Sequence, residues 1–205
     1  MSTDVAIVIL AGGEGSRIGG GKPLIELAGE RLIVRALRFA RRFSDCVAVA
    51  VRDARQVGSV EAQLIPDNSV EGPLGGLLAG LEFARREGRG LLLVIPADMP
   101  FLPNDLLDRL LGAIGPDQCA IAASGGSEHP VCSLWRAEAV ERVPEYVATG
   151  RRSLKGLADL VGKTRVDWDD APDPFFNINS AADLEEAERL VARWRSSEPK
   201  STERP

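Results

Sequence analysis

The chain has 205 residues and a formal net charge of −5, with 44% hydrophobic and 27% charged residues. These proportions fit a globular protein, and the length fits one domain that buries roughly two thirds or more of the surface its unfolded chain exposes. Basic and acidic residues are mixed along the sequence. No basic stripe is expected to neutralise a nucleic-acid backbone, and the acidic balance opposes docking on an anionic membrane, so neither is an expected partner.

Taken in chain order, the apolar run Val5–Leu10 is too short to span a membrane and has no basic stretch before it. It reads as a buried first strand that enters a glycine loop. Cys46–Val51, Leu91–Ile95 and Cys119–Ala123 have the same length and Val, Ile, Leu or Ala content, as central parallel strands do. Between them, Ile33, Ala36, Leu37, Ala40 and Phe43 recur at helical spacing, as do Leu74, Leu77, Leu78 and Leu81. Leu106, Leu107, Leu110 and Leu111 mark a third helix, with Asn104 after Pro103 as its expected N-cap. Ser180-Ala181-Ala182-Asp183 predicts the capped start of a final helix carrying Leu184, Ala187 and Leu190. The polar stretch 196–205 has little to bury and is expected to be a disordered tail, leaving residues 1–195 as one domain. Alternation of strand and helix predicts an α/β protein of three layers around a mostly parallel, Rossmann-like sheet. Such sheets bind ligands at the carboxyl ends of their strands. Cys46, Cys119 and Cys132 form neither a CxxC pair nor an even framework, so reduced thiols and a cytoplasmic location are expected.

The loop after the first strand is Leu10-Ala11-Gly12-Gly13-Glu14-Gly15-Ser16-Arg17-Ile18-Gly19-Gly20-Gly21-Lys22. Six glycines between Gly12 and Gly21 are costly to order, but they let backbone N–H groups close on an anion. Arg17 and Lys22 add positive charge suited to a triphosphate. The spacing is neither a Walker A loop nor a dinucleotide fingerprint. Asp98 follows the strand Leu91–Ile95, in Pro96-Ala97-Asp98-Met99-Pro100, where a hard cation could bridge it to phosphates; the local sequence is equally compatible with a turn-capping Asp. Asp67 precedes Gly72-Pro73-Leu74, whose Gly and Pro read as a tight turn opening a helix.

The stretch LAGGEGSRIGGGKPL resembles the signature of the nucleotidyltransferases that include sugar-phosphate nucleotidylyltransferases and molybdenum cofactor guanylyltransferases. The resemblance spans Val5 to about Leu190. It implies that the loop, through Leu10, Ala11, Gly12 and Gly13, wraps a nucleoside triphosphate, and that Arg17 and Lys22 hold its phosphates. It further implies Mg²⁺ on Asp98, in the PxDxP context, and nucleotide contacts from Asp67, Gly72, Pro73 and Leu74. Arg17, Lys22 and Asp98 are thereby the expected catalytic group. Asn177-Ile178-Asn179-Ser180 resembles the family's C-terminal segment near the metal and the acceptor's phosphate. His129-Pro130-Val131 and Gly150-Arg151-Arg152-Ser153 resemble guanylyltransferase segments. Expected acceptor-binding residues are therefore His129, Arg151, Arg152, Asn177 and Asn179. The local reading of Arg151 and Arg152 as solvated charges stays open. Two places depart from the pattern: Gly21 stands where an Asp often precedes the lysine, and Val51-Arg52-Asp53 stands where the family has an Asn or Arg that touches the base or ribose, with the Asn replaced.

The pairing of LAGG with GPL resembles members that take GTP, whereas cytidylyltransferase relatives resemble LAAG with TPL. The activity implied is transfer of GMP from GTP to the phosphate of molybdenum-molybdopterin, with a molybdoenzyme or its maturation protein as a further partner. Alternatives are a cytidylyltransferase for the same cofactor, a sugar- or polyol-phosphate nucleotidyltransferase, and a non-catalytic GTP-binding adaptor.

Overall fold

A computed structural model of the chain describes residues 4–11, 22–67 and 70–197. Its elements are β1 (Val5–Leu10), β2 (Glu26–Leu27), β3 (Glu30–Arg31), α1 (Leu32–Ala40), β4 (Val47–Val51), β5 (Gln63–Pro66), α2 (Pro73–Arg86) and β6 (Leu91–Pro96). There follow α3 (Leu106–Ala113), β7 (Cys119–Ser124), β8 (Ser127–Arg136), α4 (Val143–Ala148), α5 (Leu154–Val161), β9 (Lys163–Trp168) and α6 (Ala181–Ser197). Among the described residues, seven strands form one sheet in the order β5-β4-β1-β6-β8-β7-β9, and β2-β3 is a separate ribbon. All pairings in the large sheet are parallel except those of β8, which runs against both β6 and β7. The expected three-layer, mostly parallel architecture is the one observed.

Both sheet faces are buried, which is why the strands read as continuous apolar runs. Ile7, Ile9, Leu93 and Ile95 point to one side, into a core with α1 and α3. Ala6, Val8, Leu92 and Val94 point to the other, into a core with α2, α4 and α5. A third cluster joins Leu27 of β2, Leu32 of α1 and Ile178 to Ala187 and Val191 of α6.

Three strands of the sheet lack a sequence signal strong enough to predict them. β9 alternates, with Val166 and Trp168 buried and Arg165 and Asp167 exposed, as befits an edge strand. β8 begins with polar residues and contains Pro130, which cannot donate to a ladder. The β7–β8 register shifts between Ile121, opposite Ser133, and Ala122, opposite His129, so Pro130 falls in the irregular stretch between them. β5 is four residues long.

Asn104 does not cap α3, contrary to expectation. The helix starts at Leu106 with no side-chain cap, and Asn104 Oδ1 accepts from Arg42 Nη1 at 2.6 Å. The cap of α6 is present: Asp183 N–H donates to Ser180 Oγ (3.2 Å), and Asp183 Oδ2 accepts from Asn179 N–H (2.8 Å). That helix runs through Ser197, into the stretch expected to be tail; residues 198–205 lie outside the described residues. No helix among the described residues is long and apolar enough to cross a membrane.

α2 lies close against the sheet because it presents glycine there. A Cβ on Gly80 would come within 2.7 Å of Val8 Cγ1 and 3.0 Å of Leu92 Cδ2. Gly80→Ala therefore forces a β-branched strand residue to move, and this outweighs the gain in helix propensity of up to about 1 kcal/mol. The variant is expected to lose roughly 1–2 kcal/mol in urea unfolding. An unchanged or higher midpoint would show that the close approach is not required.

Candidate active site

The order of the strands creates a switch point. From β1 the chain winds outward through β4 and β5, then returns to form β6 on the other side of β1. The carboxyl ends of β1 and β6 thus flank the position where open α/β sheets take ligands. The backbone there is pinned: Ala97 N–H donates to Leu10 O (3.1 Å), and Ala11 N–H donates to Ala50 O (3.2 Å). Asp98 comes immediately after.

Lys22 begins a 3-10 turn and reaches back to this point. Its Nζ lies 3.5 Å from Asp98 Oδ2 and donates to Asn179 Oδ1 at 2.5 Å. Ile178 N–H donates to the carbonyl of Asp98 at 3.0 Å, so the segment before α6 is bound to the loop after β6. Burial pushes the Asp98 carboxyl above its ordinary range, and the Lys22 ammonium opposes that rise. Lys22, Asp98 and Asn179, expected separately from the sequence, are thus one constellation. Asn177 Oδ1 is buried and has no hydrogen-bond partner among the described residues.

Asp67 comes directly after β5, with its N–H donating to Val51 O at 2.9 Å. It is buried, and its Oδ1 also has no partner among the described residues. Desolvation raises its pKa, and the nearby charge of Arg52 works the other way. A Cβ on Gly75 would come within 2.1 Å of Asp67 Oδ1, so the carboxylate lies against the first turn of α2. Gly72 holds φ +75° at the N-cap of α2, a conformation glycine takes without strain, and Pro73 opens the helix. Leu74 is fully buried in the core, which leaves only its backbone to meet a nucleotide. Gly12, Gly13 and Arg17 lie outside the described residues.

His129 stands at the amino end of β8, beside the carboxyl end of β7 and thus at the same sheet edge as Asp98. Ser124 Oγ donates to Asp173 Oδ1 at 2.8 Å and lies 2.8 Å from His129 Nε2. A hydroxyl has one proton; with it directed to Asp173, Ser124 accepts from His129 Nε2–H, and Nδ1 of the neutral ring keeps its lone pair. Burial lowers the pKa of His129, against the attraction of Asp173. Phe175 stacks on the imidazole (4.7 Å, 18°) and meets Trp168 edge-on at 5.3 Å. Ser124, Asp173 and Phe175 escaped the sequence reading. Asp173, between Pro172 and Pro174, was the visible hint of a rigid loop.

Arg151 and Arg152 are exposed between α4 and α5. Arg152 Nη1 donates to Val147 O (2.8 Å) and Arg151 O (2.7 Å), and Arg151 lies over the Tyr146 ring at 5.1 Å. No contact among the described residues joins either arginine to His129 or Asp98.

No cluster of three or more His, Cys, Asp or Glu side chains able to hold a metal occurs among the described residues. One carboxylate completed by phosphate oxygens and water is how Mg²⁺ is commonly held, and Asp98, with a buried unpartnered oxygen on Asn177, fits that donor set.

Together, fold and site define a nucleotidyltransferase of the α/β class. A family model described as MobA-like NTP transferase domain matches residues 7–165, and the chain belongs to that family. It is 36% identical over 188 residues to a molybdenum cofactor guanylyltransferase of Cereibacter sphaeroides, covering 91% of this chain and 96% of that protein. It is 38% identical over 196 residues to the protein of that name from Rhodopseudomonas palustris, covering 91% and 93%. Among solved structures, molybdopterin-guanine dinucleotide biosynthesis protein A from Archaeoglobus fulgidus superposes with TM-score 0.76 at 24% identity, over 92% of this chain and 99% of that one. A CMP:2-keto-3-deoxy-manno-octonic acid synthetase complexed with CTP gives TM-score 0.72 at 16% identity, over 93% and 99%. These two structural likenesses establish the fold.

The burial of Asp67 has a consequence for stability. Because the folded state favours the protonated acid, stability falls as pH rises from the ordinary carboxylate range through the raised pKa. Asp67→Asn removes that fall. The variant is expected to melt higher than wild type at pH 7.5 and to lose this advantage near pH 4, while turning over more slowly. A melting difference independent of pH would show that Asp67 is not held at a desolvation cost.

Proposed function

We propose that the chain transfers GMP from GTP to the phosphate of molybdenum-molybdopterin, giving the guanine dinucleotide cofactor and pyrophosphate. The observation that carries this reading is the Lys22–Asp98–Asn179 constellation at the sheet's switch point. It occurs in a chain 36–38% identical, over most of its length, to proteins named molybdenum cofactor guanylyltransferase.

An oxygen of the acceptor phosphate attacks the α-phosphorus of GTP. The bond from that phosphorus to the oxygen bridging the β-phosphate breaks, and pyrophosphate leaves with the electron pair. A phosphate monoester is already a nucleophile, so no strong base is needed. The barrier is the approach of two polyanions and the charge that develops on the leaving group. Lys22 supplies a fixed cation at that point, and the loop glycines and Arg17 supply further donors to the triphosphate. Asp98 is the residue that would hold Mg²⁺, which neutralises phosphate charge when bound. Asn179 holds the lysine in place, and Asn177 offers an oxygen or amide to the acceptor's phosphate. Asp67 and the turn Gly72-Pro73-Leu74 receive the nucleoside. His129, stacked on Phe175 and oriented by Ser124, presents Nδ1 as an acceptor for the pterin's N–H groups. Arg151 and Arg152 stand ready for its phosphate.

Asp98→Asn is expected to lower pyrophosphate release by about 10²–10³-fold or more, with the circular dichroism spectrum unchanged. With molybdenum-molybdopterin as acceptor, GTP should support turnover and CTP should not. Near-normal rates in the variant would remove Asp98 from the reaction, and equal turnover with CTP would overturn the base assignment. Tight GTP binding without turnover on any acceptor would favour the adaptor reading.

A further inference from the structure

The three segments that carry Lys22, Asp98 and Asn179 run on into α1, the Pro100–Asn104 loop and α6, and these three line a second cleft. Its volume is about 510 Å³, and it contains none of the site side chains described above. Arg35, Arg38 and Arg42 project into it from one stripe of α1 and the turn that follows, since positions three and four apart share a helix face. Phe39, Phe101 and Trp194 add aromatic surface. Phe101 and Trp194 meet edge-on at 4.9 Å, yet Trp194 stays 43% exposed. Among the described residues no acidic side chain lines the cleft. Glu30 meets Arg38 at 2.9 Å and Arg35 at 3.6 Å, and the Arg38 side chain is 65% exposed. Arg42 meets the neutral amide oxygen of Asn104. Residues 32–43 hold four arginines and no acid, in a chain whose net charge is −5.

We propose that this cleft docks an acidic segment of a partner protein, anchored by an aromatic side chain. Arginine forks pair with carboxylates through two parallel hydrogen bonds, and Arg and Trp side by side in a pocket are the usual makings of a binding hot spot. The anchor ring packs on Phe101 and Trp194 while carboxylates on either side meet Arg38 and Arg42. A nucleic-acid strand fits less well. Its regular charges would continue over α6, where Glu188 lies within a turn of Val191 at the cleft's edge. A peptide can confine its charge to the arginines. The proposal does not depend on which nucleotide or acceptor the transferase site uses.

The chain has three tryptophans, and Trp135 and Trp168 are 0% and 1% exposed. Acrylamide quenching of the intact protein therefore reports on Trp194. The probe is the acetylated, amidated peptide EEFEE, with KKFKK and a single-stranded oligonucleotide as comparisons. Saturable protection of Trp194 by EEFEE and none by KKFKK is expected. The R38E/R42E double variant should bind EEFEE about tenfold more weakly or worse, with its unfolding midpoint retained. If that variant fails to fold, Arg38→Gln serves, with a weakening of about threefold expected. The proposal is overturned by the absence of saturation at about 1 mM peptide, by equal binding to the variants, or by an oligonucleotide that protects Trp194 and is not displaced by EEFEE.

Discussion

The site depends on one ammonium group. Lys22 Nζ meets Asp98, 76 positions away, and Asn179, 157 positions away, and so ties the entry to α1, the exit of β6 and the approach to α6 into one place. Burying a carboxylate is costly unless a cation or donors compensate. Asp98 is buried enough that its pKa rises, and Lys22 is the counter-charge that limits the rise. The carboxylate and the ammonium are thus held by each other, and under the proposed function this is the fixed charge arrangement that electrostatic preorganisation requires.

Core packing reaches directly into this chemistry. Ala48 and Ala50 on β4, with Gly76 and Gly80 on α2, let the helix approach the sheet closely enough for its first turn to lie beside Asp67. A larger residue at Gly75 would collide with the Asp67 carboxylate and with Val70 O. This half of the edge is therefore a product of small side chains, and its acid is held in a desolvated position.

The other half of the edge is built differently. Ser124, His129 and Asp173 form a hydrogen-bonded chain across β7, β8 and the loop beyond β9, and Phe175 closes over the imidazole. The same loop continues to Ile178, whose N–H is bound to Asp98. One short segment thereby links the aromatic compartment of His129 and Phe175 to the Lys22–Asp98 pair. The arginine-rich cleft lies on the further continuation of these segments, so a partner seated there would rest against the elements that position Lys22, Asp98 and Asn179.

Much of this was legible in the sequence. The parallel strands Val5–Leu10, Cys46–Val51, Leu91–Ile95 and Cys119–Ala123 announce themselves because strands buried on both faces must be apolar throughout. Lys22 and Asp98 stand out because each follows such a strand or its glycine loop, where the fold class places ligands, and Asp67 because it precedes Gly72-Pro73-Leu74. The cap Ser180–Asp183 is a local hydrogen-bond pattern and needs no tertiary knowledge. What stayed hidden was whatever depends on partners far away in the chain. The antiparallel β8, with its Pro130 in an irregular register, and the half-exposed edge strand β9 have no periodicity strong enough to read. Asn104, a cap by its local pattern, is bound by Arg42 instead. The Ser124–His129–Asp173 chain, the pairing of Lys22 with Asn179, and the gathering of Arg35, Arg38 and Arg42 beside Trp194 exist only once the sheet has closed. Local propensity and burial pattern act over a few residues, whereas a charge's partner is chosen by where the folded backbone brings it.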